Sequence, residues 1–168
     1  AHRGVQQGGY TQPPWAGVAG KPGPELAALR EALLTRDLYV YCGHGDGGKI
    51  LPSGELQRLP RCAATVLMGC SSGAIDLHGH LTPTGMALSY LHARCPALVA
   101  NLWEVTDGDI DRFCIALLEL MAEGGSLPAA VAKARTACRL PYLTGAAPVC
   151  YGVPLEFLPR DAAAARRA

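Results

Sequence analysis

The sequence predicts an α/β domain in which a mostly parallel sheet is covered by helices on both faces. Three apolar runs, at residues 38–42, 63–68 and 96–102, are short and continuous, which is typical of strands buried on both faces. Segments with a helical period lie between these runs and after the last one. Because parallel strands need a crossover between them, this alternation favours a parallel sheet.

The first elements follow an N-terminal stretch rich in glycine and proline. Residues 1–24 show no helical or strand period, so they predict a linker or irregular loop. Leucines on one face then predict a helix over residues 25–35, and the strand at 38–42 comes next. Residues 50–59 are interrupted by Pro52 and predict a short strand or a hairpin.

Downstream of the second strand, apolar positions recur at helical spacing in three segments. Thr84 and Ser126 are suitable N-cap residues for two of these helices. The chain closes with a short apolar run and a charged, alanine-rich tail. In chain order we predict a loop at 76–83, a helix at 84–93, a helix from 107 or 109 to about 123, a helix at 127–138, an edge strand at 149–153 and a flexible tail at 159–168.

Composition and charge limit the classes of function. The chain has 168 residues, of which 49% are hydrophobic, so it can form one domain with a proper core, predicted over residues 25–158. The formal net charge of +1 gives no reason to expect direct binding to nucleic acid or to an acidic membrane. Because the chain begins at Ala1 in a stretch rich in glycine and proline, we expect it to be the C-terminal part of a longer protein.

The seven cysteines favour a reducing, intracellular compartment. Their number is odd, and several lie inside apolar runs, where a free thiol packs as a small hydrophobic group. No pair has the C-x-x-C spacing of a zinc or redox site. His78 and His80 lack the further ligands that a zinc site needs. We therefore predict no metal and no cofactor.

Two of the buried strands end beside glycines and a side chain that can do chemistry. Cys70 stands in Gly-Cys-Ser-Ser-Gly (69–73) and His44 in Gly-His-Gly (43–45). Since ligands of parallel sheets bind at the carboxyl edge, we expect the two side chains to be neighbours there. A strand-to-helix turn at Cys70 would direct backbone N–H groups at the sulfur. A thiol nucleophile with an imidazole base predicts a cysteine protease.

A third segment of interest follows the strand at 96–102. Trp103 precedes three aspartates, Asp107, Asp109 and Asp111. One of the first two is expected to cap the next helix. A further carboxylate that faces the cleft would form a pocket for a basic side chain, most specifically an arginine held by two hydrogen bonds.

These motifs together resemble the catalytic domain of the separase family, which are caspase-like cysteine endopeptidases that open the cohesin ring at anaphase. The resemblance runs from about residue 37 to residue 155. The sequence departs from the family pattern at Cys42 and at Glu104, where the family often has aspartate. The segments that carry the resemblance are YVYCGHG (39–45), LMGCSSG (67–73), CPALVANLWEVTDGDIDRF (95–113) and YLTGAAP (142–148).

The resemblance implies a caspase-like fold and a catalytic dyad. His44 matches the catalytic histidine of the family and Cys70 matches its nucleophile. The backbone N–H groups of Gly45 and Cys70 are then expected to form the oxyanion hole. The family cleaves after arginine, so an acidic pocket is expected, which we assign to Asp111 with Trp103 and Asp109 beside it.

The resemblance also implies partners and a location. The substrate would be the kleisin subunit of cohesin, cut at Glu-x-x-Arg sites, and the inhibitor would be securin. The N-terminal helical region of the same full-length chain is a further expected partner, and the cytoplasm and nucleus are the expected location. Residues 55–58 match Glu-x-x-Arg, which we interpret as a chance match.

Two other functions remain open from the sequence. The domain could be another caspase-like cysteine protease that acts on a different substrate. It could also be a caspase-like module that binds partners without catalysis. The presence of both His44 and Cys70 counts against the second of these.

Overall fold

The computed structural model describes residues 8–12, 15–20 and 23–158, and the side chains of the last two ranges. The tail predicted at 159–168 lies outside the described residues. In chain order the elements are β1 (Gly8–Gln12), β2 (Trp15–Ala19), α1 (Leu26–Thr35), β3 (Leu38–Tyr41), α2 (Ser53–Gln57), β4 (Ala64–Leu67), β5 (Asp76–His78), β6 (Leu81–Thr84), α3 (Met86–His92), β7 (Ala97–Asn101), α4 (Asp107–Glu123), β8 (Gly125–Ser126), α5 (Leu127–Ala134), β9 (Pro148–Gly152) and β10 (Glu156–Phe157).

The central sheet has four strands in the order β3-β4-β7-β9. The first three are parallel. β9 lies at the edge, as predicted, and runs antiparallel to β7. The register pairs Tyr41 with Leu67 and Leu67 with Ala100, so the parallel strands end side by side. The residues that follow these strands therefore meet at one edge of the sheet.

Helices cover both faces of the sheet, which confirms the prediction. Neighbouring residues of a strand point to opposite faces, so Leu67 and Leu98 join the core under α1, α2 and α3. Val66 and Val99 join the core under α4 and α5. Burial of each such side chain contributes about 1.5–3 kcal/mol. Because side chains on both faces of the sheet are buried under helices, these strands are apolar throughout.

The helix boundaries after β7 follow local signals. α4 ends at Glu123 and is followed by Gly124, whose φ of 94° lies in the left-handed region that glycine adopts readily. The Ser126 hydroxyl accepts a hydrogen bond from the Ala129 N–H, so it caps α5 as predicted. α5 ends at Ala134 and a short 3-10 helix follows over Arg135–Ala137, so the regular helix is shorter than expected.

The irregular stretch predicted at 1–24 contains a β-hairpin instead. β1 and β2 pair antiparallel, with Gln12 opposite Trp15 at the closed end. Trp15 and Val18 remain 45% and 56% exposed. The side chains of β2 are exposed or half-buried, so this strand gives no hydrophobic pattern that could indicate the hairpin.

Residues 50–59 contain the helix α2 and no strand, so that prediction was wrong. Pro52 occupies the N-cap position, where its missing N–H does not matter. Leu56 and Leu59 are 0% and 4% exposed, and their spacing of three residues is helical.

The loop predicted at 76–83 is a second hairpin, formed by β5 and β6. Its side chains are exposed, and Gly79 at its tip has a φ of 63°. Thr84 belongs to β6, so it is not the cap of α3, which begins at Met86 after Gly85. Within the described residues, no helix is both long enough and apolar enough to cross a bilayer.

Candidate active site

The loops that carry His44 and Cys70 contact each other at the carboxyl edge of the sheet. A side chain at Gly69 would place its first carbon 1.7 Å from the backbone oxygen of Gly45 and 2.9 Å from that of Gly43. No side chain fits at such distances, so glycine is required at position 69 for this approach. The two loops therefore lie together as the strand order predicted.

Cys70 opens a turn over residues 70–73, and no helix follows it. The expected strand-to-helix turn is therefore absent, because the chain continues into the β5–β6 hairpin. Ser71 has a φ of 53°, which costs about 1–2 kcal/mol for a residue with a side chain. Its N–H donates to the Trp103 carbonyl at 3.1 Å, which helps to hold this conformation. Strained backbone of this kind clusters at functional sites.

The Cys70 thiol and the His44 imidazole do not share a hydrogen bond, although their loops contact each other. The half-buried Cys70 thiol donates to the Val105 carbonyl, with 3.3 Å between sulfur and oxygen. The His44 side chain is exposed and has no hydrogen-bond partner among the described residues. The Tyr41 hydroxyl donates to the His44 backbone carbonyl at 3.0 Å, which steadies the loop. No hydrogen bond with a described residue therefore fixes the orientation of the imidazole.

Two backbone donors in the contacting loops are unused. In the part of the chain that the structure describes, the N–H groups of Gly45 and Cys70 donate to no other group. Gly45 has a φ of 65°, and no atom lies within 4 Å of the place where its side chain would be. Free N–H groups beside a nucleophile are what an oxyanion hole requires.

Asp109 is buried and has all the partners it needs. It is 3% exposed, and its carboxylate accepts from the Thr144 hydroxyl at 2.5 Å, the Arg139 N–H at 2.8 Å and the Arg112 guanidinium at 2.5 Å. These three donors, with Thr144 first, hold the pKa of Asp109 well below its ordinary value. The arrangement argues against Asp109 as part of an arginine pocket or as a helix cap.

Asp111 is placed differently, although it is only two residues further along α4. It is exposed and makes no ion pair among the described residues. A hydrogen bond with Cys114 lowers the pKa of Cys42 to about 7. Burial and the negative charge of Asp111 both raise this pKa, but their combined effect is smaller. The same hydrogen bond and burial raise the pKa of Cys114. Asp111 therefore lies near Cys42, two residues before His44.

Trp103 lies between the Cys70 turn and the segment around Leu143. Its side chain is 38% exposed, and its indole nitrogen donates to the Leu143 carbonyl at 3.2 Å. Its own carbonyl accepts from Ser71. The structure thus places Trp103 beside the Cys70 turn, and its role in substrate binding remains a prediction.

The sequence reasoning missed two buried polar residues behind Cys70. Asn101 and Ser72 are 0% and 1% exposed. The Asn101 side-chain amide donates to the Gly69 carbonyl at 3.1 Å. The Asn101 backbone N–H donates to the Ser72 hydroxyl, also at 3.1 Å. The available signal was an amide side chain at the end of the apolar strand Ala-Leu-Val-Ala-Asn (97–101).

A thiol and an imidazole on adjoining glycine loops, at the carboxyl edge of a parallel sheet, define a caspase-like α/β domain. The sequence family described as "Separin, protease domain" matches residues 6–110. The chain belongs to this separin protease-domain family. The match begins inside the stretch that we predicted to be a linker and includes the β1–β2 hairpin.

Known separins are similar over most of this chain. Separin of Schizosaccharomyces pombe is 44% identical over an alignment of 154 residues, and the match covers 86% of this chain and 8% of the relative. Separin of Mus musculus is 46% identical over 145 residues, 84% of this chain and 7% of the relative. The chain thus spans less than a tenth of the length of these curated relatives.

A solved structure is similar in fold as well as in sequence. The crystal structure of the Saccharomyces cerevisiae separase–securin complex matches with a TM-score of 0.75 and 43% identity. The match covers 80% of this chain and 10% of that chain. The fold is therefore that of the separase protease domain.

Proposed function

We propose that this domain is a cysteine endopeptidase with a His44–Cys70 dyad. The observation that supports it best is the contact at Gly69 between the loop that carries Cys70 and the loop that carries His44, each of which has an unused backbone N–H group. Membership in the separin protease-domain family supports the same reaction.

The geometry suggests how the residues act in order. The thiol leaves the Val105 carbonyl, and His44 takes its proton. The sulfur then attacks the carbonyl carbon of the scissile bond, and the N–H groups of Gly45 and Cys70 stabilise the oxyanion. His44 returns the proton to the leaving amine, and water hydrolyses the acyl-enzyme.

We further propose that the substrate residue before the cut is arginine. Asp111 is an exposed carboxylate whose charge acts on Cys42, two residues before His44, so we assign it to receive the guanidinium. Trp103 would offer an apolar wall for the stem of the arginine side chain. Asp109 is left out of this pocket because its carboxylate already accepts three donors.

The biological substrate and partners follow by similarity. We propose cleavage of the kleisin subunit of cohesin at Glu-x-x-Arg sites, which would trigger sister-chromatid separation. The yeast relative was solved as a complex with securin, so we propose securin as the inhibitor here as well. The N-terminal helical region of the full-length chain is a further proposed partner. The cytoplasm and nucleus are the proposed location, and all seven cysteines are free thiols, which suits a reducing compartment.

The match to Glu-x-x-Arg at residues 55–58 is a poor cleavage site in the folded domain. Glu55 belongs to α2 and pairs with Arg58 at 2.7 Å and with Arg30. Leu59, which follows the candidate bond, is 4% exposed. We therefore expect mass spectrometry of the active protein to find the Arg58–Leu59 bond intact.

Labelling with an electrophilic peptide that ends in arginine tests the proposed function. The expected result is one adduct, mapped by mass spectrometry to Cys70 and absent in Cys70→Ser. Cys42 is the internal control, because its lowered pKa makes it the other reactive thiol near the site. No adduct at Cys70 in a folded, securin-free protein would favour a binding module. Equal labelling by peptides with other final residues would favour a protease of different specificity.

A further inference from the structure

We infer that Asn101 is a positioning residue that directs the Cys70 N–H into the oxyanion hole. The inference rests on the proposed function, since it assigns a task at the same site. Asn101 is the last residue of β7, lies directly behind the Cys70 turn and is completely buried.

The Asn101 side chain holds one peptide group of the turn. Its Nδ2 donates to the Gly69 carbonyl at 3.1 Å. That carbonyl and the Cys70 N–H belong to the same planar trans peptide group, so they point in opposite directions. A donor that fixes the Gly69 oxygen therefore also fixes the direction of the Cys70 N–H. This N–H has no acceptor in the described part of the chain, so it is available to a substrate.

The turn is held on the other side of Cys70 as well. The Asn101 N–H donates to the Ser72 hydroxyl at 3.1 Å, and that hydroxyl donates to the Leu67 carbonyl at 2.9 Å. Asn101 thus contacts the turn both before and after the nucleophile. The turn cannot rotate about Cys70 without breaking one of these bonds.

A buried atom without a partner shows that packing alone does not explain Asn101. Its Oδ1 is buried and accepts no hydrogen bond from any described residue, which carries a free-energy cost. Turning the amide over would set Oδ1 against the Gly69 oxygen, so the unpaired atom is a consequence of the bond to Gly69. An apolar residue would avoid this cost but would supply no donor.

The first experiment compares Asn101→Leu with Thr65→Val in the natural full-length chain. Leucine fills similar space without a donor. Thr65 is also a buried polar residue of the sheet, but its hydroxyl donates to the Ala63 carbonyl at the amino end of β4. With a Glu-x-x-Arg peptide, we expect kcat of Asn101→Leu to fall about 100-fold with little change in KM. We expect both constants to be unchanged in Thr65→Val.

A peptide aldehyde ending in arginine isolates the oxyanion contact. The Cys70 sulfur forms a bond to the aldehyde carbon, the C=O π bond breaks, and the thiol proton ends on the oxygen that occupies the hole. The inhibition constant is expected to rise in Asn101→Leu by about the factor by which kcat falls. Alkylation of Cys70 by iodoacetamide needs no oxyanion donor, so its rate is expected to stay that of the wild type.

Several results would overturn the inference. One is a folded Asn101→Leu protein with wild-type kcat and aldehyde affinity, and another is a loss confined to KM. A wild-type protein that does not cleave the peptide would overturn the proposed function and, with it, the task given to Asn101. If circular dichroism shows that the leucine variant is unfolded, Asn101→Ala replaces it. Alanine also lacks a donor for the Gly69 carbonyl, so unchanged kcat there would also overturn the inference.

Discussion

Two regions at the same edge of the sheet differ in how far their polar groups are hydrogen-bonded. One is the pair of loops that carry Cys70 and His44. The other is the Asp109 corner, which is formed by Asp109, Arg112, Arg139 and Thr144. In the loops, two N–H groups and an imidazole have no partners among the described residues. In the corner, one carboxylate accepts from three donors. Unused hydrogen-bonding capacity is available to a substrate, whereas satisfied groups hold the chain together. Substitutions in the loops should therefore change activity, and substitutions in the corner should change stability.

The largest effect is expected for Cys70→Ser. A serine hydroxyl is a much weaker nucleophile than a thiolate in this setting, so cleavage of a Glu-x-x-Arg peptide should fall by roughly 10⁴-fold or more. The free energy of unfolding should change by less than about 0.5–1 kcal/mol, because the side chain is half-buried and similar in size. Near-normal turnover by purified Cys70→Ser would refute the assignment of the nucleophile.

Gly69→Ala tests whether the contact between the loops matters. The added carbon would meet the Gly45 oxygen at 1.7 Å, so the loops must separate, and we expect activity to fall about 100-fold. Gly54→Ala in α2 is the matched control, because no atom lies within 4 Å of its added carbon. It should stabilise the protein by up to about 1 kcal/mol and leave cleavage unchanged. Equal activity of the two variants would show that the approach of the loops is not required.

Asp111→Asn tests the arginine pocket. Loss of a charged acceptor should lower kcat/KM for an arginine peptide about 10–100-fold, which corresponds to about 1.5–3 kcal/mol. Thermal stability should stay the same, because Asp111 is exposed and unpaired in the described structure. An unchanged kcat/KM would place the pocket elsewhere.

Asp109→Asn should lower stability and leave activity unchanged, which is the reverse of the result expected for Asp111→Asn. The melting temperature should fall by several degrees, while kcat of the folded fraction stays that of the wild type. The folded pKa of Asp109 is lowered, so its stabilising effect is complete above the ordinary aspartate pKa, about 3.9, and is lost as the pH falls below that value. We therefore expect urea unfolding between pH 3 and pH 7 to show that the difference in free energy of unfolding between the wild type and Asp109→Asn becomes smaller as the pH falls. A constant difference would mean that the charge of Asp109 contributes nothing.

Much of this fold could be predicted because its sheet is buried on both faces. Runs such as Ala-Leu-Val-Ala-Asn (97–101) have to be apolar at every position, so they stand out in the sequence. The two hairpins did not stand out, because Leu77 and Leu81 of one are 80% and 73% exposed and Val18 of the other is 56% exposed. Their pairing depends on backbone groups that all sequences share.

The sequence by itself determined that His44 and Cys70 follow neighbouring parallel strands and therefore lie at one edge. Only the tertiary structure decided that Asp109 is buried and hydrogen-bonded while Asp111 is exposed, and that Asn101 donates to the Gly69 carbonyl. Two of the three partners of Asp109, Arg139 and Thr144, stand 30 and 35 residues away, and Asn101 contacts Gly69 across 32 residues. A hydrophobic period reports which face of an element is buried. It carries no information on which distant polar group completes a hydrogen bond, because that depends on how separate elements pack.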